Sequence, residues 1–320
     1  MLGRFFYPAF FFGKNTMTDA NTETVEFQTD NLQRFIFDNA AIRGEWVNLT
    51  HTWQHVITRR QYPVAIQSLL GEMMAAAALL AATVKMKGRL VLQIKSSGPV
   101  SLLMVECTSN NTLRAFAQWK GKIVDNASLL DMTGEGTLAI TIDTEGSKKP
   151  YQGVVSLQGG SLSDMLEVYF KQSEQLETRI WLAADSHAVS GLFLQQLPKD
   201  KDDDEEQEHW SRISQLASTV TSRELLSLGA GTLLHRLFHE EECLLLNETN
   251  LSFSCNCSRE RVIETISLLG QDDANKLLAE QGQIEVACEF CNEHYHFDDK
   301  AVSEVFSKVT TPDARSKTLH

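Results

Sequence analysis

Four cysteines towards the carboxyl end of the chain stand in two closely spaced pairs. Cys255 and Cys257 form a C-x-C pair, Cys288 and Cys291 form a C-x-x-C pair, and thirty residues separate the two. Zinc prefers tetrahedral coordination, and two short-spaced pairs brought together can place four thiolates around one ion. The spacing predicts one zinc per chain, with Cys255, Cys257, Cys288 and Cys291 as its ligands.

Two histidines follow the second pair closely, at positions 294 and 296. Spacing alone leaves open a site of three cysteines and one histidine, although four cysteines already satisfy the metal. We interpret His294 and His296 as surface residues on a strand that ends in the sequence HYHF.

The segment Ser258-Arg259-Glu260-Arg261 places two guanidinium groups and a helix N-terminus beside Cys257, an environment that favours the thiolate. Thiolates are the form that peroxide attacks, and their oxidation releases a bound metal. Because metal binding in small modules is coupled to folding, the module is then expected to unfold. From spacing alone, a structural zinc module and a redox switch both stay open.

The elements that must position these cysteines begin with a core. Residues 25–198 mix helical and strand periods, which predicts an α+β domain. A buried helix is predicted after Pro63, and an amphipathic helix is predicted to begin at Ser161. Strands are predicted at Leu90–Lys95, Val100–Cys107, Leu113–Trp119, Thr137–Asp143, Tyr151–Leu157 and Thr178–Leu197, the last interrupted near Asp185, with a hairpin turn at Ser109–Asn111.

A linker and a small module complete the chain. Residues 199–250 begin with an acidic run, Asp200–Glu208, and continue with three short helical patterns that cannot hold a helix alone in water. This linker must pack on something else, which makes it a candidate for conditional unfolding. Residues 251–312 form the cysteine-bearing module, with helices predicted at Arg259–Leu269, Asp273–Gln281 and Ala301–Val309, and residues 313–320 form a tail.

Composition excludes several classes of function. The net charge of −13 over 320 residues argues against nucleic acid as the partner. No apolar run reaches the roughly 18 to 20 residues that a membrane span requires, so no membrane is expected. Residues 1–24 are interpreted as a disordered extension without a cleavage site.

The six cysteines suit a metal site in a reducing compartment, and hence the cytoplasm, better than a secreted disulfide framework. Cys107 is interpreted as a buried apolar residue, and Cys243 lies in the linker. The histidines show no partner set for nucleophilic catalysis, so no catalytic residue is assigned and the protein is not expected to be an enzyme.

The chain resembles the heat-shock protein 33 family of redox-regulated chaperones from about residue 28 onward. The stretches that carry the resemblance are FSCNCSRERV and CEFCNEHYHF around the cysteines, and RRQYP, SSGPVSLLMVE, YQGVVSL, YFKQSEQLETRIWL and LLHRLFHEEE upstream. The extension at residues 1–24 and the additional Cys243 depart from the family pattern.

The resemblance implies an ATP-independent holdase of the oxidative stress response that is inactive while reduced and zinc-bound. On oxidation, disulfides Cys255–Cys257 and Cys288–Cys291 would form, zinc would leave and the linker would unfold. The exposed surface would then bind unfolded client proteins, and the oxidised form would be a homodimer. These properties are implied by the family and stay expectations at this point.

Two other classes of function stay as alternatives. A thiol-disulfide oxidoreductase using Cys288 and Cys291 is disfavoured because no thioredoxin-like βαβ pattern surrounds the pair. A zinc module that binds nucleic acid is disfavoured by the acidity of the whole chain.

Overall fold

The computed structural model describes residues 30–157, 160–198 and 204–309, so the predicted extension and tail lie outside the described residues. The strands, in chain order, are β1 (Asn31–Phe37), β2 (Ile42–Leu49), β3 (Gly88–Ser96), β4 (Val100–Thr108), β5 (Thr112–Trp119), β6 (Gly136–Thr144), β7 (Tyr151–Ser156), β8 (Thr178–Ala184), β9 (Val189–Gln196), β10 (Cys243–Asn250), β11 (Ser252–Phe253), β12 (Ile284–Ala287) and β13 (His294–Phe297). The helices are α1 (His51–Ile57), α2 (Val64–Thr83), α3 (Leu129–Thr133), α4 (Leu162–Tyr169), α5 (Asp204–Ala217), α6 (Ser222–Ser227), α7 (Ala230–Phe238), α8 (Arg259–Leu269), α9 (Gln271–Gln281) and α10 (Asp299–Val309). This mixture of helices and strands confirms the predicted α+β class.

Two sheets enclose a central helix. The five-stranded sheet has the order β10-β1-β2-β9-β8, and all its neighbouring strands are antiparallel. The six-stranded sheet has the order β11-β5-β4-β3-β6-β7 and is antiparallel except where β11 joins β5. Helix α2 contacts strands of both sheets and therefore lies between them.

Helix α2 owes its uniform apolarity to this position. Pro63 precedes it with φ −54° and ψ 148°, which suits a helix start. All residues from Met73 to Leu80 are buried, because sheets cover opposite sides of the helix. Among the described residues, α2 is the one helix long and apolar enough to cross a membrane, a length that the sequence analysis did not recognise. Since 72% of its most apolar window is buried inside the protein, it is the core helix.

The series of strands predicted for the core is present. Asn111, in the predicted hairpin turn, has a φ of 60°, as asparagine tolerates. At the start of α4, the Ser161 hydroxyl accepts a hydrogen bond from the Asp164 N–H, and the Asp164 carboxylate accepts one from the Ser161 N–H. Strands β1, β2 and β10, and the short strands β11 and β12, were not predicted.

The linker helices cover the second face of the five-stranded sheet. Phe35, Trp46 and Leu192 point away from α2 into this second core. Helices α5, α6 and α7 contribute its other half, with the buried residues Trp210, Ile213, Ala217, Leu225, Leu233, Leu234, Leu237 and Phe238. The partner that the short helices require is therefore the sheet itself.

The cysteine-bearing module has a small core of its own. Helices α8, α9 and α10 and the hairpin β12–β13 surround the buried residues Val262, Ile266, Ala274, Ile284, Phe297 and Val302. So few large apolar side chains leave the module in need of a staple.

Candidate metal centre

Local structure holds each cysteine pair in place. The C-x-C pair lies between the end of β11 and the start of α8, where the Ser258 hydroxyl accepts a hydrogen bond from the Arg261 N–H at 3.4 Å. The C-x-x-C pair lies in the turn between β12 and β13. There Asn292 adopts a φ of 54°, its N–H donates to the Cys288 carbonyl at 2.8 Å, and the Cys288 N–H donates to the Glu293 carbonyl at 2.9 Å.

The turns bring all four sulfurs together. The Sγ atoms of Cys255, Cys257, Cys288 and Cys291 lie within 4.8 Å of one another. The Cys255 and Cys288 sulfurs are 3.7 Å apart, and those of Cys257 and Cys291 are 3.3 Å apart. A tetrahedral zinc with bonds of about 2.3 Å requires sulfur atoms about 3.8 Å apart. The four cysteines thus cluster within metal-binding distance, and the donor set fits zinc.

The cysteines differ in how readily they ionise. Burial opposes ionisation of Cys257, but hydrogen bonds from the Tyr295 hydroxyl, at 3.2 Å, and from the other thiols outweigh it and lower its pKa. Burial raises the pKa of Cys255 and of Cys291. Of these three thiols, Cys257 is the first to become a nucleophilic thiolate in the metal-free protein.

The two arginines next to the C-x-C pair make backbone contacts. Arg261 donates to the carbonyl of Asn256, between the two cysteines, at 2.7 Å. Arg259 donates to the carbonyl of His296 at 3.0 Å and stacks on the Phe297 ring, 4.2 Å from its centroid. Both guanidinium groups therefore fix the path of the chain around the sulfur cluster.

The histidines and remaining cysteines lie outside the cluster. His294 Nδ1 lies 2.5 Å from Glu285 Oε1, and its ring stacks on that of His296. Within the described residues, the group of side chains that could hold a metal contains four cysteines and no histidine. Cys107 is buried in the core, and Cys243 packs against the linker helices.

Core and module meet at a contact beside the cysteines, here called the docking contact. Its core side consists of Arg59, Arg60, Arg114 and Phe116, and its module side of Asn256, Glu289, Phe290 and Cys291. The Phe290 ring makes an edge-to-face contact with Phe116, with centroids 4.7 Å apart, and lies 4.1 Å from the Arg114 guanidinium carbon. Arg59 donates to the Cys291 carbonyl at 3.2 Å. A ring on the C-x-x-C turn is thus fixed to the six-stranded sheet.

Arg114 connects both cysteine pairs to the core. Its guanidinium pairs with the buried carboxylate of Glu106 at 2.9 Å and donates to the Asn256 side chain at 2.5 Å. Asn256 lies between Cys255 and Cys257, and Phe290 lies between Cys288 and Cys291. The ion pair with Glu106 pre-orients the guanidinium for both contacts.

Sequence reasoning found the cysteines but not Tyr295 or the docking contact. Tyr295 alternates with His294 and His296 on β13, and only the fold shows that its hydroxyl faces Cys257. Arg114 and Asn256 are 142 residues apart in the sequence, and no local pattern relates them.

Comparisons with known proteins agree with this architecture. The family model of Hsp33 protein matches residues 30–298. A 33 kDa chaperonin of Nitrosococcus oceani is 48% identical over 279 residues, which cover 87% of this chain and 95% of the relative. One from Pseudomonas fluorescens is 46% identical over 297 residues, covering 91% and 98%. The crystal structure of the 33 kDa chaperonin of Thermotoga maritima, 23% identical, superposes with a TM-score of 0.77 and covers 89% of this chain and 100% of that one. The chain belongs to the Hsp33 family.

Proposed function

We propose that this protein is a redox-regulated, ATP-independent holdase chaperone of the cytoplasm. A chaperone function is supported by its relatives, which carry the name 33 kDa chaperonin. In the reduced state one zinc ion per chain is held by Cys255, Cys257, Cys288 and Cys291. Oxidation releases the metal and detaches the linker from the core. The oxidised protein is a homodimer, and the surface that the linker covered binds unfolded proteins.

The observation that carries this proposal is the path of the chain from the linker to the sulfur cluster. Helix α7 packs on the five-stranded sheet, and the chain then runs through β10 and β11 directly to Cys255. No flexible spacer separates Cys255 from β11, which ends at Phe253. A change at the cysteines therefore acts on the elements that cover the second core.

Bound zinc would keep the four sulfurs as thiolates and staple the module, contributing about 10–16 kcal/mol of apparent free energy. In the oxidation step, peroxide takes two electrons from one cysteine pair. A sulfur–sulfur bond forms and the O–O bond of peroxide breaks. Two protons are taken up, and two water molecules are released. Two peroxide molecules convert all four cysteines into two disulfides, which leaves no thiolate for the metal.

We propose that the disulfides are Cys255–Cys257 and Cys288–Cys291. All four sulfurs lie within 4.8 Å of one another, so their proximity alone does not select the partners. The resemblance to the family selects the pairs within each motif. Peptide mapping of the oxidised protein by mass spectrometry tests this assignment, and cross-pairs in place of these two would contradict it.

Release of the linker is favoured by incomplete packing against the core. A groove of about 870 Å³ lies along part of the boundary between them, with Ser163, Glu167 and Arg179 on the core side and Ser211 and Gln215 on α5. Because this lining is largely polar, the linker relies on the second core for its stability. Its release would expose the apolar face that carries Phe35, Trp46 and Leu192.

The test follows zinc and aggregation in one sample. Zinc-loaded protein is treated with peroxide at mildly raised temperature, metal is followed with a chromogenic chelator, and light scattering of a thermally unfolding client is recorded. We expect zinc loss and protection to appear together and to reverse with a thiol reductant. A Cys107→Ser/Cys243→Ser variant, which keeps the four clustered cysteines, should behave the same way. Zinc loss without protection would show that the site is only structural.

A further inference from the structure

Strand β10 is held to β1 by backbone pairing and by side-chain hydrogen bonds from Asn31, Gln33 and Arg34, while its leucines stay exposed. It forms one edge of the five-stranded sheet and pairs antiparallel with β1. Leu244, Leu245 and Leu246 are 46%, 53% and 46% exposed, whereas Phe35 on β1 is 1% exposed. A run of three exposed leucines on an edge strand is unusual, because such edges invite pairing with other chains.

Both ends of β10 continue into elements that the proposed function releases, α7 before it and β11 with Cys255 after it, but the hydrogen bonds at both ends run to the core. At its start, the Asp38 N–H donates to the Glu242 carbonyl just after α7, at 3.0 Å. At its end, the Leu251 N–H donates to the Asp30 carbonyl at 2.8 Å, and β11 follows with two residues. Once the linker helices and the cysteine module detach, main-chain hydrogen bonds and a few side-chain contacts are all that retain β10.

Departure of β10 would leave an extended docking site on β1. The backbone N–H and C=O groups of β1 that now pair with β10 would lose their partners, and each such group is costly to leave unpaired away from water. Next to this edge lie Phe35 and Phe37, both covered now by Phe238 of α7. Unpaired backbone beside apolar side chains is the surface that an extended apolar peptide binds by adding a strand.

We propose that β10 occupies, in the reduced protein, a docking site for an extended apolar segment of an unfolded chain. After oxidation such a segment replaces β10 and pairs antiparallel with β1. The inference rests on the proposed function and assigns a site for its client. We infer an extended apolar occupant because the chain's own Leu244–Leu246 segment already lies along β1 in extended form.

The register indicates which client segments fit. Leu245 lies opposite Phe35 and Leu244 opposite Ile36, and the ladder is irregular between Gln33 and Phe35. A client strand therefore gains most from apolar residues at the alternate positions that share a face with Phe35 and Phe37, and it needs backbone N–H groups along one edge. Proline within the segment would be excluded, because it lacks the donor and fits poorly in a paired strand.

The test uses three fluorescent peptides. The parent peptide has the sequence of residues 243–250 with Cys243→Ser, and the other two are N-methylated analogues of it. One analogue is methylated at residues 245 and 248, and the other at 244 and 249, because the irregularity between Gln33 and Phe35 shifts the alternation of β10 by one residue. In a paired strand, alternate amides face the neighbouring strand and the remainder face away. We expect the parent peptide to bind the oxidised protein at least tenfold more tightly than the reduced protein. One analogue should lose at least tenfold in affinity while the other binds nearly as well as the parent.

The outcomes separate this inference from the proposed function, because aggregation suppression is measured in the same oxidised sample. Suppression together with equal binding of both analogues would overturn strand addition and leave the holdase intact. A peptide that dissociates an oxidised dimer without displacing client would assign the site to a second copy of this chain, which also overturns the inference. Absence of suppression would refute the proposed function itself.

A covalent lock gives a second, independent test. Ile36→Cys with Leu244→Cys, in a Cys243→Ser background, joins two residues that face each other across β1 and β10. We expect the locked protein to release zinc on oxidation but to bind client at least tenfold less tightly than either single-cysteine variant, neither of which can form the cross-link. Full client binding by the locked protein would contradict the proposed site.

Discussion

Phe238 on α7 is the residue whose truncation should test linker release most directly. Its side chain is 1% exposed, its ring meets Phe37 edge-to-face with centroids 5.1 Å apart, and it lies 6.2 Å from Phe35. Replacing a buried phenylalanine with alanine costs about 3–5 kcal/mol. If the linker opens while both sheets stay folded, the substitution lowers the free energy of linker opening by this whole amount. The open fraction should then rise by roughly two to four orders of magnitude.

We therefore expect Phe238→Ala to suppress client aggregation partly without oxidant while its zinc stays bound. Hydrogen exchange measured by mass spectrometry should accelerate in residues 204–238 and in β1, but not in β3 and β4. Leu268→Ala is the matched control, because Leu268 is 88% exposed in the module. Uniformly faster exchange in all strands, or unchanged exchange in the linker, would refute independent opening of the linker.

The buried carboxyl group of Glu45, the docking contact and the zinc proposed for the sulfur cluster each give a further prediction. Burial raises the pKa of Glu45 from 4.5 to about 7. Between these pH values the unfolded chain has lost the proton of Glu45 while the folded protein still holds it, so the free energy of unfolding of the wild type falls as pH rises. Glu45→Gln should remove this loss, so that the free energy of unfolding of the variant, measured in urea, gains about 3 kcal/mol over that of the wild type between pH 4.5 and 8. A difference between the two proteins that does not change with pH would contradict this prediction. Phe290→Ala should weaken the docking contact by about 1–3 kcal/mol and accelerate zinc release by peroxide, whereas exposed Leu269→Ala should not. Chelation under reducing conditions should abolish exchange protection in residues 255–309, and added zinc should restore it; protection that survives chelation would show that the module folds without metal.

The fold could be predicted from sequence where apolar residues alternate with polar ones or form an apolar run. Helix α2 and strands β3 to β9 carry such a pattern, and they were found. Strands β1 and β2 were missed because both of their faces are buried, with Gln33, Glu45 and Asn48 among the buried residues. Polar residues inside these strands removed the apolar alternation that identifies a strand.

Strand β10 was missed for the opposite reason. Most of its residues are exposed, so no face of it is marked by burial. Its pairing with β1, more than 200 positions earlier in the chain, is set by backbone hydrogen bonds and by side-chain contacts such as that of Asn31 with Glu248, which no local sequence pattern reveals. The four cysteines were easy to identify because ligand spacing is local, whereas Tyr295 and Arg114 reach the site only through tertiary structure.

The same geometry explains how a reaction at four sulfur atoms can act on the distant linker. Residues 243–253 close one edge of each sheet in turn, since β10 pairs with β1 and β11 pairs with β5. Strand β11 has only two residues, and the Ser252 and Ser254 N–H groups donate to Asn111 and Leu113. So short a strand does not hold itself in place, and its position depends on the sulfur cluster that follows and on the docking contact. Under the proposed function, oxidation of the cluster would remove that support from β11, and β10 would then lose part of its anchor at its carboxyl end.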